Sequence, residues 1–132
     1  MYKTKLHYRR WYHLKFIQVS KKIKIAVVGI GLMGLQHIKA IQKSKFATLH
    51  SIVEIKKDGI KLSKKFNVPL YKNIKILLEK NKPDAVIIAT PNFLHETDTI
   101  QFLKTKIPVL LEKPISDNIK SAKKIINSAR SN

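Results

Sequence analysis

An open parallel β-sheet of about five strands, doubly wound with helices on both faces, is the fold class that the sequence predicts. Three observations carry the prediction. Short β-branched runs alternate with segments of helical spacing from residue 23 onward. Runs such as AVIIA over 85–89 are apolar throughout rather than alternating, which marks strands buried on both faces. Three of the four glycines fall in one turn, GIGLMG over 29–34, directly after the first such run.

The elements follow in order. Residues 23–28 form a β-branched strand that stops at Gly29. Residues 32–43 place apolar side chains at 32, 35, 38 and 41, which is helical spacing. A second strand is predicted over 48–54 and a short helix over 58–66. A third, short strand occupies 68–71, and Asn73 is placed to cap a helix over 74–80. The fourth strand, 84–90, is ended by Pro91. A helix over 95–104 and a fifth strand over 108–112 come next. Ser116 is read as the cap of a last helix running to about residue 129, with apolar residues at 119, 122, 125 and 126.

Composition narrows the function. The chain has 132 residues, 44% of them hydrophobic, which suits one globular domain rather than a disordered chain. There is no cysteine, so disulfides and thiolate chemistry are excluded, and a reducing, cytoplasmic setting fits. No apolar run approaches the roughly 20 residues needed to cross a bilayer. The formal net charge is +19. Residues 1–53 carry eleven Lys/Arg and no Asp/Glu, while 54–132 carry sixteen against eight. Such a surface attracts polyanions, so nucleic acid is a partner to weigh against a simple Lys-rich solvated face. Residues 1–22 stand apart as a basic extension, expected to be poorly ordered, with five aromatics among seven Lys/Arg. Residues 23–132 form the folded domain.

Ligands of doubly wound sheets bind beyond the carboxyl ends of the strands, which focuses attention on Gly29, Glu54 and Thr90. Gly29 permits a tight turn, Gly31 lets backbone approach a pyrophosphate, and Gly34 lets the helix pack against the strand. The helix start at Leu32 and Met33 presents free N–H groups to phosphate. Glu54, twenty residues beyond Gly34, is placed to accept hydrogen bonds from an adenosine ribose, which favours NAD. Lys56 and Lys57 offset its repulsion of a 2′-phosphate and keep NADP as an option. In ATPNFLH, over 89–95, Asn92 offers donor and acceptor, and His95 is a candidate general acid or base, against a plain capping role. Glu112 and Lys113 would stand by the nicotinamide, where a partly desolvated Lys can polarise a carbonyl or relay a proton. No metal site is predicted.

These pieces together resemble the Rossmann-type cofactor domain of the glucose–fructose oxidoreductase / inositol dehydrogenase family. The matching stretches are KIAVVGIGLMGLQHIKAI, Glu54, PDAVIIATPNFLH and VLLEKPIS, within residues 23–130. The resemblance implies that the glycine turn binds NAD or NADP and that Glu54 takes the ribose. It implies that Thr90, Pro91, Asn92, His95 and Glu112 line the cofactor site, and that Lys113 assists hydride transfer as the catalytic residue. Family members continue into a second α/β domain that binds a sugar or polyol and supplies an Asp and a His. No counterpart is seen in these residues, so that domain is expected to be absent. The expectation is therefore cofactor binding without turnover by this chain alone, with a homodimer or a complementary substrate-domain chain as partner. The rivals are a non-catalytic nucleotide- or partner-binding module and a basic nucleic-acid-associated protein.

Overall fold

The structure is a computed structural model that describes residues 21–132. The expectation for the basic extension falls outside the described residues, apart from Lys21 and Lys22. Among the described residues, five strands and five helices alternate: β1 Ile23–Val28, α1 Leu32–Lys43, β2 Ala47–Val53, α2 Asp58–Phe66, β3 Leu70–Tyr71, α3 Ile74–Lys80, β4 Ala85–Ile88, α4 His95–Leu103, β5 Val109–Leu111 and α5 Ile119–Ser131. A 3₁₀ turn, Asn92–Leu94, leads into α4.

The sheet is parallel throughout, in the order β3-β2-β1-β4-β5. Order reverses at β1, whose neighbours are β2 and β4. Val28 is level with Val53 on one side and Ile88 on the other, so these three strands end together. That shared edge is the switch point at which such sheets open a crevice.

Period-two alternation along β1 divides the core. Ala26 and Val28 face a layer built with Ile74, Leu77 and Phe102 of α3 and α4. Val27 faces the opposite layer, with Ile38 and Ile41 of α1 and Ile52 of β2. Both faces are covered, which is why the strands read as continuous apolar runs.

Boundaries depart from expectation where a proline or a competing cap decides. β3 starts only after Pro69, whose carbonyl still accepts from Ile52 N at 3.0 Å. β4 ends at Ile88, before the turn that carries Thr90 and Pro91. The cap of α5 is Asn118, not Ser116. Asn118 Oδ1 accepts from Ser121 N at 2.9 Å, whereas the Ser116 hydroxyl donates to Asp117. The apolar set expected on α5 is only partly used: Ile125 is buried, while Ile119 is 76% exposed.

Candidate functional site: the crevice at the carboxyl ends of β1, β2 and β4

Each glycine of the turn has its own steric reason. Gly29 has φ +84, and a Cβ there would lie 2.8 Å from the Ala89 carbonyl oxygen. A Cβ on Gly34 would overlap the Gly29 carbonyl oxygen, so glycine alone lets α1 lie this close to the turn. Gly31 differs: nothing lies within 4 Å of the place where its Cβ would stand. The protein does not need that space, so the space is free for a ligand. Gly31 also caps α1, and its carbonyl accepts from Leu35 N at 3.0 Å. The first-turn amides of α1 precede that bond and have no intrahelical acceptor. No acidic residue in this turn offsets their positive end.

The turn opens into a cavity of about 720 Å³, within the range of small-molecule and cofactor sites. Gly29, Gly31, Leu32 and Met33 of the turn line it, with Glu54 from the end of β2 and Thr90 and Pro91 from the β4 loop. Glu54 is tightly held. Its Oε2 accepts from Ile30 N at 3.1 Å, and its Oε1 accepts from Ile55 N at 2.9 Å and Lys56 N at 3.0 Å. A carboxylate offers about four acceptor positions, so roughly one remains for a ligand hydroxyl. Gly59 of α2 keeps this carboxylate in place, since a Cβ there would press on the Glu54 side chain at 3.2 Å.

The β4 loop corrects the reading of His95. Its side chain is buried, with Nε2 2.9 Å from the Thr90 carbonyl oxygen and Nδ1 3.0 Å from that of Pro114. A neutral ring can donate to one of these and an imidazolium to both. His95 therefore ties the β4 loop to the β5 loop and does not reach the cavity. Asn92 is half-buried at the start of the 3₁₀ turn and likewise stands off the cavity wall. Phe93 and Leu94 line it instead. Thr90 donates from Oγ1 to Asp98 Oδ2 at 2.8 Å. Burial pushes the Asp98 carboxyl above its ordinary value, with the Thr90 hydroxyl working the other way.

At the end of β5, Glu112 Oε1 pairs with His37 Nε2 at 2.5 Å, joining this strand end to α1. The hydrogen bond from His37 holds the Glu112 carboxyl below its ordinary range. Lys113 is exposed, and its backbone N donates to Glu112 Oε2 at 3.2 Å. Glu112 and Lys113 border a second, smaller groove of about 480 Å³ between β5, α4 and α5, not the large cavity. Sequence reasoning missed His37, the partner of Glu112, and four residues that line the large cavity: Asp98 and, from the β3–α3 segment, Lys72, Asn73 and Lys75. The last three were findable in principle, because every loop that follows a strand reaches this edge of the sheet. Among the described residues, no cluster of His, Asp or Glu suits a metal ion.

A family model described as an oxidoreductase family with an NAD-binding Rossmann fold matches residues 23–132. The chain belongs to this family. Its curated relatives include inositol 2-dehydrogenase of Renibacterium salmoninarum, 32% identical over 108 residues, covering 80% of this chain and 33% of the relative. An uncharacterized oxidoreductase, YgjR of Escherichia coli, is 31% identical, covering 83% of this chain and 34% of its own length. Among solved structures, a probable dehydrogenase from Thermotoga maritima superposes with a TM-score of 0.78 at 27% identity, over 83% of this chain and 33% of that one. The WlbA dehydrogenase of Bordetella pertussis, solved with NADH and UDP-GlcNAcA, gives a TM-score of 0.79 at 24% identity over 84% and 35% of the two chains. At that identity, the second likeness speaks for the fold alone. The chain spans about a third of the length of these oxidoreductase-family relatives. No helix among the described residues is long and apolar enough to cross a membrane.

Proposed function

We propose that the chain is the cofactor-binding part of a dehydrogenase acting on a sugar or polyol, with NAD in the large cavity. The observation that carries this reading is the empty space at Gly31, directly before the unneutralised first turn of α1. A pyrophosphate fits there, against backbone N–H donors and the positive end of the helix. Glu54 keeps one acceptor position for the adenosine ribose, and Pro91 and Phe93 give the apolar wall beyond the turn.

Bound nicotinamide would supply a hydride acceptor for oxidation of a carbinol. The chain's own residues arrange its surroundings. Lys113, at the end of β5 and outside the wall of the large cavity, is the cation proposed for the nicotinamide side, and Glu112 is fixed by His37 next to it. Its ammonium can stabilise charge on a substrate oxygen or pass on a proton. Thr90 and Asp98 hold the β4 loop that separates the cavity from the β5 end.

Calorimetric titration with NAD tests the reading. Wild type should bind one equivalent, and Gly31→Val should not bind, because a branched side chain fills the space left for the pyrophosphate. The space around Gly31 is open and its φ is −62, so the variant should still fold. Equal binding by both proteins would remove the assignment.

A further inference from the structure

Charge is divided between the two edges of the sheet. All strands run parallel, so the segments leading into β2, β1, β4 and β5 meet at one edge, opposite the crevice. Lys22 and Lys24 flank Ile23 at the start of β1, and Lys43 and Lys45 precede β2. Lys80 and Lys82 precede β4, and Lys104 and Lys106 precede β5. These lysines are exposed, and no ion pair among the described residues includes any of them. Of the eight acidic residues, only Glu79 and Asp84 lie on this side. Glu79 is 4.0 Å from Lys75, and Asp84 Oδ2 accepts from Lys24 N at 2.8 Å. Helix carboxyl ends carry about half a negative charge each, so those of α1, α3 and α4 offset fewer than about two of these cations.

Backbone contacts fix the segments. Ile23 N donates to the Phe46 carbonyl at 2.8 Å, and the Ser44 hydroxyl accepts from Phe46 N at 3.1 Å and Ala47 N at 3.2 Å. The α1–β2 turn is thereby held against β1, with Phe46 63% exposed beside Lys45. Lys106 has φ +59 just past α4, where its N–H and that of Ile107 donate to the Leu103 and Phe102 carbonyls. Glycine is the usual residue at such a helix end, and a lysine keeps a charge there at a steric cost that glycine avoids.

We propose that this lysine edge binds single-stranded nucleic acid, with the phosphate chain running across the strand starts and a base stacked on Phe46. The surface lies at the other end of the sheet from the cofactor crevice and does not depend on it. Neighbouring strands are about 4.8 Å apart, so four strand starts set paired cations along roughly 14 Å. A row of that shape suits a linear polyanion, because a compact anion would meet only one pair. A basic track that carries an exposed aromatic is how proteins hold single strands, since every base has a face to stack. A duplex keeps its bases inside and would leave Phe46 unused.

The test is fluorescence anisotropy of the full chain with a labelled oligothymidylate of about 20 nucleotides, at about 50 and about 200 mM salt. One variant combines Lys45→Gln, Lys82→Gln and Lys106→Gln. A control combines Lys39→Gln, Lys61→Gln and Lys123→Gln, which removes equal charge from within α1, α2 and α5. Every protein keeps residues 1–20, so differences report on the edge alone. Each lost phosphate contact lowers the salt slope by about 0.7, so the edge variant should flatten it by about two and lose at least about tenfold in affinity at the lower salt. The control should lose less than about threefold. Phe46→Ala, at an exposed position, should lose about fivefold or more with the slope unchanged, and should leave affinity for a duplex of the same length as it was. NAD affinity should not change in the edge variant, so either reading can fail alone. Absence of oligothymidylate binding, equal loss in the control, or no effect of Phe46→Ala on the single strand would overturn the proposal. Binding to phosphatidylserine vesicles that needs the same lysines, without oligothymidylate binding, would overturn it in favour of a lipid surface.

Discussion

The Glu54 carboxylate holds three backbone amides before any ligand arrives, which sets what its removal should do. Glu54→Ala should weaken NAD more than NADP, by roughly 1.5–3 kcal/mol of charge-assisted hydrogen bonding. The measurement is the ratio of the two affinities; an unchanged ratio would remove the ribose contact. His95 makes a different prediction. His95→Leu keeps apolar volume but leaves the Thr90 and Pro114 carbonyls without their ring partners. Urea unfolding should show a loss of about 2 kcal/mol, and no such loss would mean that the bracket between the loops contributes nothing. The two residues also differ in how far the sequence could be read. The glycines and Glu54 act through local backbone, so spacing from a strand end revealed their places. The partners of His95 lie five and nineteen residues away, and no local pattern announces a buried ring between two carbonyls.

At the scale of elements, α4 and α5 are joined by a Glu96–Lys124 contact of 2.7 Å. The hydrogen bond from Lys124 lowers the Glu96 carboxyl from its ordinary value. A carboxyl with a depressed folded value stabilises the fold above its unfolded value, and that contribution disappears as pH falls through the folded one. Wild type should therefore exceed Glu96→Gln in Tm at neutral pH, with the gap closing below about pH 4.3. A gap that persists into acid would assign the effect to something other than ionisation. The cap of α5 allows a second comparison. Asn118→Ala should cost about 1 kcal/mol and Ser116→Ala close to nothing, as read by thermal unfolding. Reversed costs would restore Ser116 as the cap. Strand cores were legible because burial on both faces leaves apolar runs. The cap was not, since Ser116 and Asn118 are equally good cap types and only backbone direction chooses between them.

For the molecule as a whole, alternation of strand and helix was enough to indicate the parallel sheet, and the glycine turn to indicate its switch point. Which cavity each loop joins was not legible, because it depends on where strands end in space. Glu112 and Lys113, expected by the nicotinamide, border the groove beside α5 rather than the wall of the large cavity. The separation bears on activity. Hydride transfer needs a substrate carbon held against the nicotinamide with a base in reach. Lys113 is exposed at its strand end, and among the described residues the other charged side chains lining the groove are Glu112, paired with His37, and Arg130 of α5, which keeps its proton and cannot act as a base. The 132-residue chain, purified alone, should bind cofactor yet form no NADH from a panel of polyols and sugars. Absorbance at the reduced-nicotinamide band is the measurement. Turnover that disappears in Lys113→Ala would show that this chain suffices.

The central place of β1 also shapes how the protein is made. Ile25 pairs with Ala85, so the second flank of β1 is synthesised 60 residues after the strand itself. At a translation rate of roughly 5–20 residues per second, β1 waits about 3–12 s with one side open. Until β4 emerges, the backbone donors and acceptors on that flank of β1 have no strand partner. Ribosome-bound chains stopped before β4 are thus the species most exposed to mispairing, and the ones on which a chaperone would have most to cover.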